Sequence, residues 1–297
     1  MFDFHLIRSK LKLWISNSET VVSMNNRNLG FVYPSNHRKD YQVADNKLLT
    51  KELLAPLGFG VVKTYATFEY FFELSSLDEE LLKHTSFVIK PAQGSGGHGI
   101  MVIVDKNGEH FISASGKKIT NEQIRQHIGN IIFGVYANGL NDIAIIEERL
   151  IGHEDLADFN EQGLCDIRII CYYGRPIQAM MRVATKASDG KANLHQGGVG
   201  IAVDLESGKT SFAQIKREDI VEHPDSGVIL LGRQIPHWEK VMDLCLEVAK
   251  HMPLNYLGVD VAISQTGPMV LEVNARPGIE IQNVNHQGMK PILEAKL

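Results

Sequence analysis

Hydrophobic residues recur along this chain in two rhythms. After Asp45-Asn46, a pair suited to capping a helix, Leu48, Leu49, Leu53 and Leu54 return at helical spacing until Gly58 and Gly60 end the run. The period then changes. Residues 85–91 read as a short buried strand entering a glycine-rich loop, 120–129 as helix, and 142–150 as another apolar strand. The second half alternates strand and turn, with strands over 166–173, 176–184 and 200–204. Residues 235–252 give the clearest helix, because Trp238, Val241, Met242, Cys245, Val248, Ala249 and Met252 form one core-facing stripe. A hairpin follows, 256–264 and 268–274, turning near Gln265, Thr266 and Gly267. Strands and helices in both halves predict an α+β protein with two sheet-containing lobes.

Composition narrows the class. The 297 residues allow about two domains or one two-lobed unit. With 44% hydrophobic and 22% charged residues, the chain is neither disordered, collagen-like nor coiled-coil. Lys plus Arg is 30 against 35 for Asp plus Glu, a net charge of −5, so no global basic field recruits nucleic acid. No apolar run approaches the roughly 20 residues that a bilayer span needs. The N-terminus interleaves charge with apolar residues and lacks a signal-peptide pattern. Cys165, Cys171 and Cys245 form neither a disulfide framework nor a CxxC metal site. A reduced, cytoplasmic protein is expected, with Cys165 and Cys171 as core residues rather than nucleophiles.

Two stretches carry chemistry. Between apolar strands, Lys90 precedes Gln93, Gly94, Ser95, Gly96, Gly97, His98 and Gly99. Glycines let backbone N–H groups turn inward and approach a phosphate with no Cβ in the way. Lys90 adds a point charge and Ser95 a hydroxyl. The spacing is neither a P-loop nor a dinucleotide fingerprint, because no GK[ST] is present and no helix-forming run follows Gly99. A flexible hairpin tip is the plain alternative. The second stretch is the last hairpin. Asp260 and Glu272 are symmetric about Thr266, so a turn there sets the two carboxylates opposite one another on one face. Like charges so placed need a cation between them. Asn274 lies two residues on and shares that face. Two carboxylates and an amide oxygen suit Mg2+, with Mn2+ as an alternative. The neighbours Val259, Val261, Val270, Leu271 and Val273 argue against an exposed hairpin of ordinary acids. Arg276 adds a cation nearby.

Taken together, these residues resemble the ATP-grasp superfamily, and within it the alpha-L-glutamate ligase-like proteins related to ribosomal-protein glutamate ligase and glutathione synthetase. Five ordered segments carry the resemblance: DNKLLTKELL (45–54), FVIKPAQGSGGHGI (87–100), IIEERLIGHE (145–154), DIRII with MMRVATKASDGKANLHQGG (166–198), and GVDVA with LEVNARPG (258–278). The resemblance implies ATP and Mg2+ between two α+β lobes. Lys47 and Lys90 look like the phosphate lysines, and Gln93, Gly94, Ser95, Gly96, Gly97 and Gly99 like the lid. Glu147 matches the hinge residue beside adenine, with the backbone of Arg149 and Leu150 reading the ring edge, and Glu154 matches the ribose ligand. Asp260, Glu272 and Asn274 match the magnesium ligands. Arg168 and Arg182 fall on strands that in relatives border the γ-phosphate and substrate carboxylate, and the resemblance implies Arg182 and Arg276 as stabilisers of the acyl-phosphate transition state. Lys191 stands where the wider superfamily usually has arginine, giving charge without bidentate geometry. Asn193 and His195 are placed near the same pocket, and His98 and His195 are equally read as structural.

The implied activity is an ADP-forming, ATP-dependent carboxylate–amine ligase working through an acyl phosphate, with glutamate or another amino acid joined to a peptide or small molecule. A kinase on the same fold, or a nucleotide-binding module without catalysis, is the alternative. The implied layout is a short N-terminal segment (1–44), a lobe with the lid (45–148) and a lobe with the metal hairpin (149–297). ATP, a carboxylate substrate and an amine acceptor are the expected partners; a protein partner or homo-oligomer is left open. Relatives carry a larger domain ahead of the ATP-binding lobe, whereas here 44 residues precede the first motif. Asn25–Asn28 and His37–Lys39 read either as a solvated loop or, through Arg27 and Arg38, as a contact to an acidic acceptor.

Overall fold

Alternating apolar positions build two antiparallel sheets, each with its own core. The structure is a computed structural model and describes residues 19–94, 96–159, 164–188 and 192–295. The first sheet has six strands: β1 (Thr64–Phe68), β2 (Phe87–Pro91), β3 (Met101–Asn107), β4 (His110–Ser113), β5 (Lys118–Ile119) and β6 (Ala144–Glu147). Their order is β1-β6-β2-β3-β4-β5. Thr120 and Gln123 form a reciprocal capping box at the start of helix α4 (Asn121–Ile132). Ile124, Ile128, Ile131 and Ile132 then pack with Phe87, Ile89, Phe111 and Ile146 in the smaller core.

The second sheet has seven strands: β7 (Asp166–Tyr172), β8 (Arg175–Val183), β9 (Val199–Val203), β10 (Thr210–Ile215), β11 (Glu218–Ile220), β12 (Tyr256–Ser264) and β13 (Gly267–Asn274). Their order is β11-β10-β9-β8-β7-β12-β13. Every residue of β12 is buried, which explains its continuous apolar run with Asp260 as the exception. Helix α5 (Trp238–His251) covers β12, β13 and β7 through Trp238, Val241, Cys245, Val248 and Ala249. The expected stripe is therefore the buried one.

The chain ahead of the sheets packs on the larger core. Short helical turns at Met24–Asn26 and Tyr33–Ser35 lead to α1 (Tyr41–Asp45) and α2 (Lys47–Leu54); α3 is Leu77–Leu82. The layout implied by the resemblance puts α2 in the lobe 45–148, but Val22, Phe31, Val32, Tyr41, Ala44 and Leu54 all join the larger core. Asn36 fastens this layer to β12: its side-chain N–H donates to Tyr256 O at 2.7 Å, and its carbonyl accepts from the N–H groups of Asn255 and Tyr256. After α2, the chain runs along the open edge of β13, where Val270 N–H donates to Gly60 O at 2.7 Å. That contact covers an edge strand. A Cβ at Gly60 would lie 2.9 Å from Pro268 O, so glycine is required there. Among the described residues no helix is long and apolar enough to cross a membrane.

The hairpin closes differently from its sequence symmetry. The observed turn has two residues, Gln265 and Thr266, with Ser264 paired to Gly267 and Val261 to Val270. Continued regularly, that register would set Asp260 against Leu271. A bulge between Asp260 and Val261 shifts it by one, and Asp260 pairs with Glu272 after all. Bulges of this kind re-aim side chains beside functional sites.

Candidate active site

The register places a row of charges across four adjacent strands. Arg168 on β7 lies opposite Asp260 on β12, which lies opposite Glu272 on β13. Two residues before Arg168 and on the same face, Asp166 lies opposite Arg182 on β8. The side chains close into a lattice. Arg168 donates Nε and Nη2 to the two oxygens of Asp260 at 2.7 and 2.5 Å. Arg182 grips Asp166 in the same forked way, at 2.5 and 2.8 Å, and reaches Asp260 Oδ2 at 2.6 Å. Asn274 lies with its amide nitrogen 3.4 Å from Asp260 Oδ2 and 3.3 Å from Glu272 Oε1. Lys47 Nζ sits 3.4 Å from Glu272 Oε2.

Burial and pairing compete in this lattice. Burial pushes the Asp260 carboxyl up, and the guanidiniums of Arg168 and Arg182 reverse this, holding it well below the usual carboxylate range. Burial raises Asp166 to about 6, with Arg182 pulling down and Asp260 pushing up. Burial would lower Arg182, but Asp166 and Asp260 keep it firmly charged. So Asp260 is an anion with two cations already on it. The expected metal residues Asp260, Glu272 and Asn274 do meet at their tips. Among the described residues no group of three His, Cys, Asp or Glu could hold a metal; the set here has two carboxylates and a carboxamide, the hard-oxygen donors that suit Mg2+ once the amide presents its oxygen. Glu272 keeps 29% of its side chain exposed, so one carboxylate is reachable from solvent.

A second charged group lies on the first sheet. Glu147 is buried at the end of β6, and its two oxygens each accept an ammonium at 2.5 Å, one from Lys51 and one from Lys90. Lys90 follows Val88, the β2 partner of Glu147, by two residues and so shares its face. Lys51 was not singled out by sequence reasoning; its place one turn after Lys47 on α2 was the available signal. Burial lowers its pKa, and Glu147 partly restores it.

The glycine loop runs between these groups. Lys47 donates its backbone N–H to Ala92 O at 3.0 Å and Nζ to Gly94 O at 2.8 Å. Asp142, also missed in the sequence, receives the Gln93 N–H on both carboxylate oxygens at 3.1 Å. From the other sheet, Asn193 and Gln196 donate to Gly96 O at 2.6 and 3.1 Å. Gly97 and Gly99 both have positive φ. A Cβ on Gly99 would lie 2.6 Å from the Tyr136 ring. Ser95 and Lys191 lie outside the described residues.

The remaining candidates sit further out. Arg149 and Leu150 are half-buried in the irregular segment after β6, and Glu154 is exposed at the start of the 3-10 turn Glu154–Phe159. Arg276 is exposed just beyond Asn274. Its backbone is anchored by Arg27, which the sequence left open between a solvated loop and a contact to an acidic acceptor; it is neither exposed nor free, being 4% exposed and spent on Arg276 O and Pro277 O at 3.3 and 2.7 Å. Gly258 makes that loop possible, since a Cβ there would lie 2.7 Å from Pro277.

Two antiparallel sheets flanking a glycine loop, with lysines and acids from both, form the ATP-grasp fold. The chain belongs to the sugar-transfer associated ATP-grasp family, whose profile matches residues 26–296. It is 26% identical over 239 residues to a probable alpha-L-glutamate ligase of Psychromonas ingrahamii, covering 79% of this chain and 56% of that protein. Over 116 residues it is 30% identical to the ribosomal protein bS6–L-glutamate ligase of Salmonella paratyphi B, covering 39% and 28%. The chain thus spans little more than half the length of the first of these relatives. Among solved structures it is similar to D-alanine–D-alanine ligase from Bacillus anthracis in complex with ATP, with 15% identity, a TM-score of 0.48, and coverage of 86% and 63%.

Proposed function

We propose that this chain is an ATP- and Mg2+-dependent carboxylate–amine ligase. The observation that carries the reading is the convergence of Arg168, Arg182, Asp260, Glu272 and Asn274 on β7, β8, β12 and β13 with Lys47 of α2, whose ammonium also reaches Gly94 O of the glycine loop. ATP supplies the γ-phosphoryl group: a substrate carboxylate oxygen takes it, ADP leaves, an amine nitrogen attacks the acyl carbon, and phosphate departs as the amine gives up a proton. Such transfers ask the protein for position and charge rather than covalent chemistry. Lys47 and Lys90 would offset phosphate charge, and the glycine loop from Gln93 to Gly99 would cover it with backbone N–H groups other than that of Gln93, which Asp142 already holds. The backbone of Arg149 and Leu150 would face the adenine and Glu154 the ribose, while Glu147, the expected hinge residue, has both carboxylate oxygens on Lys51 and Lys90. Asp260, Glu272 and Asn274 would hold the metal, whose charge would offset that of the phosphates. Arg168, Arg182, Arg276 and Lys191 are assigned to stabilising the transferring phosphoryl group.

In this reading residues 45–148 and 149–297 are the lobes of one catalytic unit and 1–44 is a short N-terminal segment, whose described part packs with residues 45–54 on the larger core. The names of the curated relatives make glutamate the first amino acid to try, with a peptide as its acceptor. The test is ADP release from MgATP over a panel of amino acids and peptides, followed by the mass of the product. Glu272→Ala is expected to lower turnover at least about a hundredfold. ADP release that needs no amine would point to a kinase instead. Equal release by wild type and Glu272→Ala would remove the proposal.

A further inference from the structure

The ligase reading gives Lys51 no task, yet this side chain is buried and its ammonium is firmly placed. Nζ lies 2.5 Å from Glu147 Oε2 and 3.0 Å from Thr64 Oγ1. Glu147 is itself 4% exposed, and its other oxygen holds the Lys90 ammonium at 2.5 Å. The cluster therefore buries two cations on one carboxylate, one negative charge short of balance. Burial lowers the Lys51 pKa, Glu147 raises it and Lys90 lowers it again, as expected when two ammoniums share one partner. Uncompensated buried charge is costly, so an anion arriving here is favoured. The two lysines are not equivalent. In the sheet, Glu147 lies between Thr64 of β1 and Val88 of β2. Lys51 reaches it from α2 on the Thr64 side and keeps two side-chain partners. Lys90 stands on β2, just ahead of the glycine loop, and among the described residues Glu147 is the one acid paired with it.

We propose that Lys51 is the fixed counter-ion of Glu147 and Lys90 the exchangeable one: a nucleoside triphosphate entering under the glycine loop draws Lys90 from Glu147 to its phosphates, while Lys51 keeps the carboxylate paired and in place. The inference deepens the ligase reading and rests on its nucleotide part. Lys51 is then a positioning residue that touches no substrate. Helix α2 suits the task, because it turns Lys47 to Gly94 O and, one turn later, Lys51 to Glu147. Without Lys51, Lys90 would be the only cation on a buried carboxylate, and its departure to phosphate would strand that charge.

Titration calorimetry on the 297-residue chain would measure binding of MgATP and of inorganic triphosphate with Mg2+. Lys51→Met should raise the Kd of both about tenfold or more, because the penalty travels through Lys90 to phosphate and not to the base. Lys51→Arg keeps the charge and should recover most of that affinity. Glu147→Gln releases Lys90 and should tighten triphosphate about threefold. In the double variant Lys51→Met with Glu147→Gln, triphosphate should return to within about threefold of wild type, a recovery that a merely bracing Lys51 would not give. Melting temperatures near wild type establish that the variants fold; should Lys51→Met fail to fold, Glu147→Gln decides alone. Unchanged triphosphate affinity in folded Lys51→Met, no recovery in the double variant, or weaker triphosphate binding by Glu147→Gln overturns the assignment while the ligase reading stands. Wild type that binds both ligands but releases no ADP with any amine removes the ligase reading and leaves the counter-ion assignment. Wild type that binds neither sinks both.

Discussion

Cys165, Cys171 and Cys245 lie in the larger core, and burial pushes the first two thiols up to about 12 and the third well above its ordinary value. The thiolate is the reactive form, so at pH 8 a thiol with pKa near 12 is ionised in only about one molecule in ten thousand, against roughly a quarter at an ordinary pKa of 8.5. A thiol-reactive disulfide dye at pH 8 should therefore find no fast-reacting cysteine in the native chain and all 3 after denaturation. A rapid native reaction at any of them would contradict the packing. Their reading as core residues needed only the apolar neighbours. The charged residues were less legible, for a physical reason. Asp260, Glu272 and Asn274 could be brought together on paper because one hairpin joins them. Lys51 with Glu147, or Asp142 with the Gln93 amide, are separated by 96 and 49 positions, and no local pattern reports a contact across two elements. Arg27 was visible as a charge but not as a buried one, since its partners are main-chain oxygens 249 and 250 positions away.

Helix α2 shows how a local signal can set a site. Asn46 accepts from the N–H groups of Leu48 and Leu49 at 2.9 and 3.3 Å, and the helix begins with Lys47 at its first position. The cap was readable in the sequence; the consequence, that it aims one lysine at Gly94 O and Glu272 and the next at Glu147, was not. Asn46→Ala should cost about 1 kcal/mol in urea unfolding. It should also weaken nucleotide binding more than that stability loss accounts for, because the first turn frays at Lys47. A stability loss with unchanged nucleotide affinity would confine the cap to a structural part. Other elements came through the sequence to within a few residues: the long helix, β7, β8, β9 and the hairpin all show an unbroken period. Strands β1, β3, β4 and β5 did not, because their half-buried positions mix charge and apolar residues without strict alternation. The bulge that restores the Asp260–Glu272 pairing left no trace either; symmetry about Thr266 reached the right pair through a turn one residue longer than the observed one.

Two cores of unequal size share this chain. The smaller is built on Phe87, Ile89, Phe111 and the isoleucines of α4, and the larger holds residues from Val22 to Leu293. Polar contacts bridge them: Lys51 to Glu147, Lys47 to Gly94 O, and Asn193 and Gln196 to Gly96 O. Bonds of this kind contribute about 1 kcal/mol each at most sites, too little to force two hydrophobic cores into a single cooperative transition. In the proposed ligase the nucleotide-binding groups come from both sheets, so a bound nucleotide would add to the bridge. The chain has 2 tryptophans, and Trp238 belongs to the larger core. In a Trp14→Phe background the fluorescence of Trp238 reports that core alone, while far-ultraviolet circular dichroism reports both. Without nucleotide, urea should give a circular dichroism transition that begins before the fluorescence change, as the smaller core unfolds first. With MgATP at about 100 times its Kd, the early phase should move by roughly 2.7 kcal/mol towards the later one. If the two signals already coincide without nucleotide, the sheets are one cooperative unit, and the lobes would move together on binding rather than close on each other. If they differ and MgATP shifts neither, the nucleotide does not lie across both sheets, and the role of the glycine loop as its cover would be lost with it.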